Sequence, residues 1–222
     1  MPRQLVQHHR FFLAVFSLYV LAGALSFLFY KQGSETLFFD SHHTSMRDIF
    51  FVLMTNMAEG LSLLVIGILL LLWRVKYFLV YVIDLIILAA VIHFLKHQVF
   101  ADHLRPSMFF GPTQQLHFVQ GVEVMKDFSF PSGHTATAFA VSFLMAIYVR
   151  RTWASIIFLC IALLVGLSRM YLLQHFWIDV YFGSLIGVSV TLLIYIALQK
   201  PIIHSEAGIL NLSLYERYIK RK

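Results

Sequence analysis

The chain has 222 residues, of which 59% are hydrophobic, 16% aromatic and only 13% charged, where a soluble globular domain carries roughly 25% charge. That balance argues against a water-soluble enzyme and describes an all-α, polytopic membrane protein, with a length suited to one bundle and no second domain. The net charge of +6 would raise the question of nucleic acid in a soluble protein, but here most of the bases sit between apolar runs, so no nucleic-acid partner is expected.

Cutting the apolar runs at charge clusters and Gly/Pro-rich segments gives six expected transmembrane helices, at 11–30, 48–73, 77–95, 134–149, 153–172 and 176–198. Each approaches the roughly 20 apolar residues needed to cross a hydrocarbon core of about 30 Å. The first run is too long, and lacks a small-residue cleavage site, to read as a removable signal peptide, so a retained anchor is expected. The short links Arg74-Val75-Lys76 and Arg150-Arg151-Thr152 require antiparallel neighbours. Residues 96–133 instead form one long loop with Pro106, Gly111, Pro112, Gly121 and Pro131, and a long ordered loop in a compact bundle is usually functional.

Lysine and arginine in short loops are retained on the cytoplasmic side. With both termini inside, the inner set is Arg3, Arg10, Arg74, Lys76, Arg150, Arg151, Lys200, Arg217, Lys220, Arg221 and Lys222. The outer set is the smaller one: Lys31, Arg47, Lys96, Arg105, Lys126 and Arg169. Residues 199–222 read as a cytoplasmic tail, polar and basic at its end. Cys160, the single cysteine, lies in an apolar stretch and is expected in the core. Trp73, Trp153 and Trp177 fall at span ends, where aromatic belts sit.

Three clusters fall at the outer ends of four of these spans. Lys96, then eight residues, then Arg105-Pro106 follows the third; Pro131-Ser132-Gly133-His134 opens the fourth; Ser168-Arg169, five residues, His175, three residues and Asp179 bridge the fifth and sixth. Lys96, Arg105 and Arg169 bring three cations to one membrane edge, which is costly unless an anion neutralises them. Arginine grips two phosphate oxygens with its planar fork, and lysine adds a point charge. Any one of them alone could equally be snorkelling to headgroups. Ser132 and Gly133 precede a helix whose first N–H groups lack partners, a place suited to an anion, although Ser132 could be an N-cap and nothing more. His134 stands where it could protonate a leaving oxygen. His175 and Asp179, four apart, share a helical face, so the carboxylate can fix the imidazole tautomer and leave the other nitrogen free to attack phosphorus.

Together these residues resemble the type 2 phosphatidic acid phosphatases, the PAP2 or lipid phosphate phosphatase superfamily, whose motifs are Lys-x6-Arg-Pro, Pro-Ser-Gly-His and Ser-Arg-x5-His-x3-Asp. The second and third stand here unaltered. The first has two extra residues, and strict spacing would put the uncharged Gln98 where the family has lysine; Lys96 is the expected ligand, carried back by a bulge. The resemblance covers about residues 48–198, within a single domain at 1–198.

It implies that His175 attacks phosphorus, Asp179 orients it and His134 protonates the departing lipid oxygen. Lys96, Arg105, Ser132, Gly133 and Arg169 would hold the phosphoryl oxygens. No metal and no cofactor are implied. The expected partners are a lipid phosphate and the bilayer, in a bacterial inner membrane with the active site at the extracytoplasmic ends of the helices. Undecaprenyl diphosphate, phosphatidic acid, phosphatidylglycerol phosphate and a lipid A phosphate are candidate substrates. A lipid-to-lipid phosphotransferase would use the same site, and a transport or structural bundle would leave the motifs unexplained.

Glu59 and Asp84 lie inside expected spans, where an ionisable group suggests function by default. Cavity lining or an interhelical bond suits Glu59, and pairing within the bundle suits Asp84. His93 and His97 have a two-histidine spacing but no third ligand, and His8-His9 and His42-His43 read as interfacial or loop residues.

Overall fold

The computed structural model describes residues 2–205 and 207–215, with side chains from residue 11 onward apart from Thr113. The tail bases Arg217, Lys220, Arg221 and Lys222 lie outside the described residues, as do the side chains of Arg3, His8, His9 and Arg10. Among the described residues every regular element is helical. In chain order these are α1 (Pro2–Ser26), α2 (Ser34–Ser41), α3 (Ser45–Asn56), α4 (Gly60–Trp73), α5 (Val75–Phe94), the short α6 (Pro106–Phe109), α7 (Gly133–Val149), α8 (Thr152–Tyr171) and α9 (Trp177–Leu198).

Helix α7 is the axis of the molecule. It packs most extensively on α8 and α9, with α5 and α1 also against it, and 12 of its 17 residues are buried. Its side chains explain this position. Alanines on α7 let neighbours approach closely, and Phe139 and Phe143, both fully buried, carry an aromatic seam into α1, where Phe12 meets Phe143 at 5.1 Å and Phe16 meets Phe139 at 5.7 Å between centroids. Such rings contribute specific packing beyond the area they bury. On the α9 side, Gly183 and Gly187 let the backbones touch. A Cβ on Gly183 would stand 2.6 Å from the Ser132 carbonyl, and one on Gly187 would collide with the Ala136 carbonyl. This is the small-xxx-small pattern of helix pairs in lipid, where close backbone packing replaces the hydrophobic effect as the driving force.

Three helical segments are long and apolar enough to cross a membrane: Val75–Val99, Thr152–Tyr171 and Trp177–Ile203. The expected span at 48–73 is instead two helices, α3 and α4, which meet at a 46° bend. The break falls at Met57-Ala58-Glu59, where Glu59 takes an extended backbone before Gly60 starts α4. Backbone freed inside an apolar layer is tolerated where it lines a cavity, and Ala58, Glu59 and Gly60 line one. The remaining two apolar segments, Phe11–Ser26 and Gly133–Val149, are shorter.

Three other features depart from the sequence reading. Cys160 is exposed on α8 rather than in the core, because an apolar run does not distinguish a lipid-facing position from a buried one. Residues 31–47, between the first two expected spans, contain α2 and the first residues of α3. The described part of the tail folds back on the single-residue link between α4 and α5. The Leu210 and Leu212 carbonyls accept from the Lys76 and Val75 amides, and the Lys76 ammonium donates to Asn211 Oδ1 at 2.7 Å.

Candidate active site

The site starts from how the chain leaves α8. After Tyr171 the backbone reverses through Leu173, a buried non-glycine residue at φ 55, a conformation that packing must hold. The amides of Gln174 and His175 both donate to the Arg169 carbonyl, at 3.0 and 3.1 Å, so Arg169 and His175 are locked together before α9 begins. The His175 ring is 1% exposed.

Asp179 sits in the first turn of α9, and a single oxygen does most of its work. Oδ2 accepts from the Phe176 amide at 2.9 Å, capping the helix, from Ser129 Oγ at 2.5 Å and from His175 Nδ1 at 3.2 Å. With a carboxylate facing it, Nδ1 carries the ring hydrogen and Nε2 keeps its lone pair. His175 is also a wall of a cavity of about 670 Å³ that it shares with Lys96, Arg105, Gly133, His134 and Arg169. Asp179 stands behind His175, outside that wall.

Each of the three cations of the wall is tethered by hydrogen bonds. Arg105 donates through Nε to the Asp127 carbonyl at 2.9 Å and through Nη1 to the Gln174 carbonyl and side-chain oxygen, each at 3.2 Å. Arg169 donates to Thr55 Oγ1 at 2.7 Å, and its buried Nε has no partner. Lys96 donates to the Phe128 carbonyl at 2.5 Å. It lies in a π-helical turn, Leu95–Val99, that continues α5, and such a bulge absorbs extra residues and re-aims side chains. Gln98 is exposed and is not part of the wall.

Burial of so many cations leaves its mark on groups at the helix ends. Desolvation pulls the Arg105 guanidinium below its usual pKa. Burial first, and then the charges of Arg105, Lys96 and Arg169, push His175 well below the ordinary histidine value, so the ring is neutral at pH 7. A neutral imidazole oriented by a carboxylate and facing clustered cations is built to meet an anion.

Ser132 is fully buried and its hydroxyl is already engaged. It accepts from the Thr135 amide at 3.4 Å and the Thr135 hydroxyl at 2.9 Å, as the N-cap of α7. Its amide donates to the Asp179 carbonyl at 3.0 Å, which ties the start of α7 to the start of α9. Gly133 and His134 then present the first turn of α7 to the cavity. His134 Nε2 meets Glu59 Oε1 at 2.6 Å, and Glu59, at the α3–α4 break, lines the same cavity. Asp84 is remote from it and accepts from Thr191 on α9 at 2.9 Å.

Sequence reasoning missed the partners. Gln174 lies inside the third motif and Ser129 two residues before the second, and so both carried a positional signal. Thr55 had none. Glu35 on α2 was also unmarked, yet it accepts from the Trp177 amide at 2.8 Å and from Tyr30 Oη at 2.5 Å, so the segment before residue 48 helps hold the start of α9.

Fold and site thus define a class: a helical, apolar chain with a His–Asp pair set against a basic cavity. The model of the PAP2 superfamily matches residues 73–203, and the chain belongs to that superfamily. Among curated proteins it is 36% identical over 97 residues to the bacitracin transport permease protein BcrC of Bacillus licheniformis, a match spanning 43% of this chain and 44% of that protein. The chain therefore aligns with less than half the length of that relative. Among solved structures it resembles LpxE of Aquifex aeolicus, with a TM-score of 0.62 at 22% identity over 72% of this chain and 91% of that one. It also resembles the first transmembrane PAP2 type phosphatidylglycerolphosphate phosphatase of Bacillus subtilis, with a TM-score of 0.58 at 21% identity over 88% and 96%. These two likenesses establish the fold.

Proposed function

We propose that the protein is an integral membrane phosphatase that removes phosphate from a lipid phosphate or diphosphate through a phosphohistidine intermediate. The observation that carries this reading is His175, buried between the Asp179 carboxylate and a cavity walled by Lys96, Arg105 and Arg169. His175 Nε2 attacks phosphorus and the bond from phosphorus to the lipid oxygen breaks. The departing oxygen keeps the electron pair and takes a proton from His134. Glu59 holds the Nε2–H of that ring and favours its imidazolium form, whose Nδ1–H is the proton given to the leaving oxygen. Water then attacks the phosphohistidine and gives a proton to His134, the bond from phosphorus to His175 Nε2 breaks with its electron pair returning to that nitrogen, and phosphate departs. Lys96, Arg105 and Arg169, with the first turn of α7 set by Ser132 and Gly133, stabilise the phosphoryl oxygens while charge redistributes. All of these steps are completed by the chain's own side chains, without a metal.

An apolar cavity of about 760 Å³, lined by Phe100, Phe130, Phe176 and Phe182 together with Asp179, adjoins the site and supports a lipid tail. In this reading the transmembrane domain is 1–198, with α3 and α4 forming one broken crossing among six. Residues 199–222 and both termini face the cytoplasm, and the site lies at the extracytoplasmic face of a bacterial inner membrane. Phosphatidylglycerol phosphate, phosphatidic acid, undecaprenyl diphosphate and a lipid A phosphate are the substrates to compare. The same intermediate could pass its phosphoryl group to a second lipid.

The test is phosphate release by detergent-solubilised protein across that panel, with a radiolabelled donor supplied with and without lipid acceptors. Hydrolysis is expected, with an acid-labile protein-bound label in wild type that is missing in His175→Ala. Full activity of His175→Ala would overturn the mechanism, and label moving to an acceptor lipid instead of water would assign the transferase.

A further inference from the structure

Apart from the residues of the cavity wall, His43, Asp48 and His117 bring one donor atom each to within 4.8 Å of one another. They come from three places: His43 from the turn between α2 and α3, Asp48 from the first turn of α3, and His117 from the long loop. None of them lines the active-site cavity. We propose that these residues form a binding site for a divalent transition cation of the zinc type, which fastens the long loop to α3.

The donor set is the first support. Two imidazoles and a carboxylate oxygen are borderline ligands suited to zinc, with a fourth position open to water. The second support is how the donors are held. Asp48 Oδ1 accepts from Tyr171 Oη at 2.5 Å, which orients the carboxylate and leaves Oδ2 turned towards His117 Nε2 at 3.1 Å. The His117 backbone amide donates to Asp40 Oδ1 at 2.6 Å, so the loop is anchored at this residue and a second carboxylate adds negative potential. Groups of this kind, one step behind the donors, are what fixes ligands in metal sites.

The third support is the second imidazole. A simple His–Asp ion pair would need only His117. Here the His43 ring lies parallel to that of His117, with centroids 3.5 Å apart and planes 3° from parallel. Two stacked imidazoles repel if both are protonated, and one proton serves only one of them; a divalent cation serves both and the carboxylate together. For the lone pairs to converge the rings must splay from parallel, and His43, exposed on its turn, has the room to do so.

The position gives the clip a consequence. The loop that carries His117 also supplies the Asp127 and Phe128 carbonyls that hold Arg105 and Lys96. Asp48 lies on the helix whose Thr55 holds Arg169. A bound cation would therefore stiffen the frame behind the three cations without touching the phosphoryl group.

The test uses full-length protein without a histidine tag, stripped of metal in detergent and titrated with zinc chloride by calorimetry, then with cobalt(II) as a spectroscopic substitute. Uptake of one equivalent, visible absorption bands of a tetrahedral cobalt centre and a thermal midpoint raised by several degrees are expected. His43→Ala and His117→Ala should each weaken zinc binding at least tenfold, whereas the double variant His93→Ala/His97→Ala should leave it unchanged. His43→Ala, at an exposed position, should keep the metal-free midpoint and basal phosphate release. Unchanged binding when both His43 and His117 are replaced, or no saturable uptake by wild type, would overturn the proposal, whatever the outcome of the phosphatase assay.

Discussion

His134 on α7 and Glu59 at the α3–α4 break, 75 residues apart in the chain, meet at 2.6 Å. A carboxylate at this distance fixes the ring and balances the imidazolium that a proton donor must be before it gives up its proton. The bend between α3 and α4 is what brings it there, since a continuous helix would present residue 59 within an unbroken hydrogen-bond ladder.

Loss of that support should slow the protonation of the leaving group more than it weakens binding. Glu59→Gln is expected to lower kcat about tenfold, and His134→Ala by about 10²-fold or more, with little change in KM. The diagnostic measurement uses p-nitrophenyl phosphate, whose leaving group needs no proton. If His134 is the acid, His134→Ala regains most of its rate on that substrate and His175→Ala regains none. Equal losses on both substrates would remove His134 from the role.

Asp179 Oδ2 serves His175, Ser129 and the α9 backbone at once, so its substitutions separate orientation from stability. Asp179→Asn keeps an oxygen for the cap but can turn a donor towards Nδ1, which favours the wrong tautomer. A loss of about 10²- to 10⁴-fold in kcat, by analogy with other oriented histidines, is expected with a nearly unchanged thermal midpoint. Ser129→Ala removes one of three donors and should cost about 1 kcal/mol of stability and only a few-fold in kcat. An Asp179→Asn protein with wild-type phosphate release would show that the carboxylate only caps the helix.

The legible part of this site was the part that a local pattern can carry. His175 and Asp179 lie one helical turn apart, and Pro131 to His134 are contiguous, so spacing alone placed them. Lys96 was harder because its motif is two residues too long, and the π-helical turn at Leu95–Val99 has no mark in hydropathy. The groups that tether the cations are the least legible: Thr55 and Arg169 are 114 residues apart, and nothing in either segment announces the other. The same limit applies to the fold. Apolar runs located α5, α7, α8 and α9 to within a few residues, but they passed over the bend at Met57-Ala58-Glu59 and put Cys160 inside, since hydropathy weighs lipid and protein neighbours alike.

Gly183 and Gly187 are a case where a signal existed in the sequence as G-x-x-x-G and its cause is now visible. A Cβ at either position would strike the backbone of α7, at the Ser132 and Ala136 carbonyls, and backbone cannot step aside as a side-chain tip can. Gly187→Ala should therefore separate α7 from α9 and destabilise by about 1–3 kcal/mol or more. Gly183→Ala should in addition shift Ser132, and with it the start of α7, lowering kcat. Gly60→Ala, with nothing within 4 Å, is the control expected to be silent. Thermal midpoints in detergent check all three, and a stable Gly187→Ala protein would mean the two helices are less closely packed than their backbones indicate.

The neutral state of His175 predicts a pH dependence of stability with a definite sign. Burial and the neighbouring cations hold its pKa well below the unfolded value of 6.5, so between the folded pKa and about 6.5 the unfolded chain binds a proton that the folded chain refuses. This contribution to stability is fully present above pH 6.5 and declines as the pH falls, with a slope of up to about 1.4 kcal/mol per pH unit, until the folded pKa is reached. The carboxylates titrate as well, but those not in contact with this ring do so equally in a variant that lacks it. The thermal midpoint of wild type should therefore fall more steeply than that of His175→Gln as pH is lowered from 6.5 to 4.5, in buffers free of phosphate so that no bound anion offsets Lys96, Arg105 and Arg169. Above pH 7 the two profiles should run parallel. Identical slopes on the acid side would mean that the folded protein protonates His175 as readily as the unfolded chain does, and that the imidazole is not the neutral nucleophile the mechanism requires.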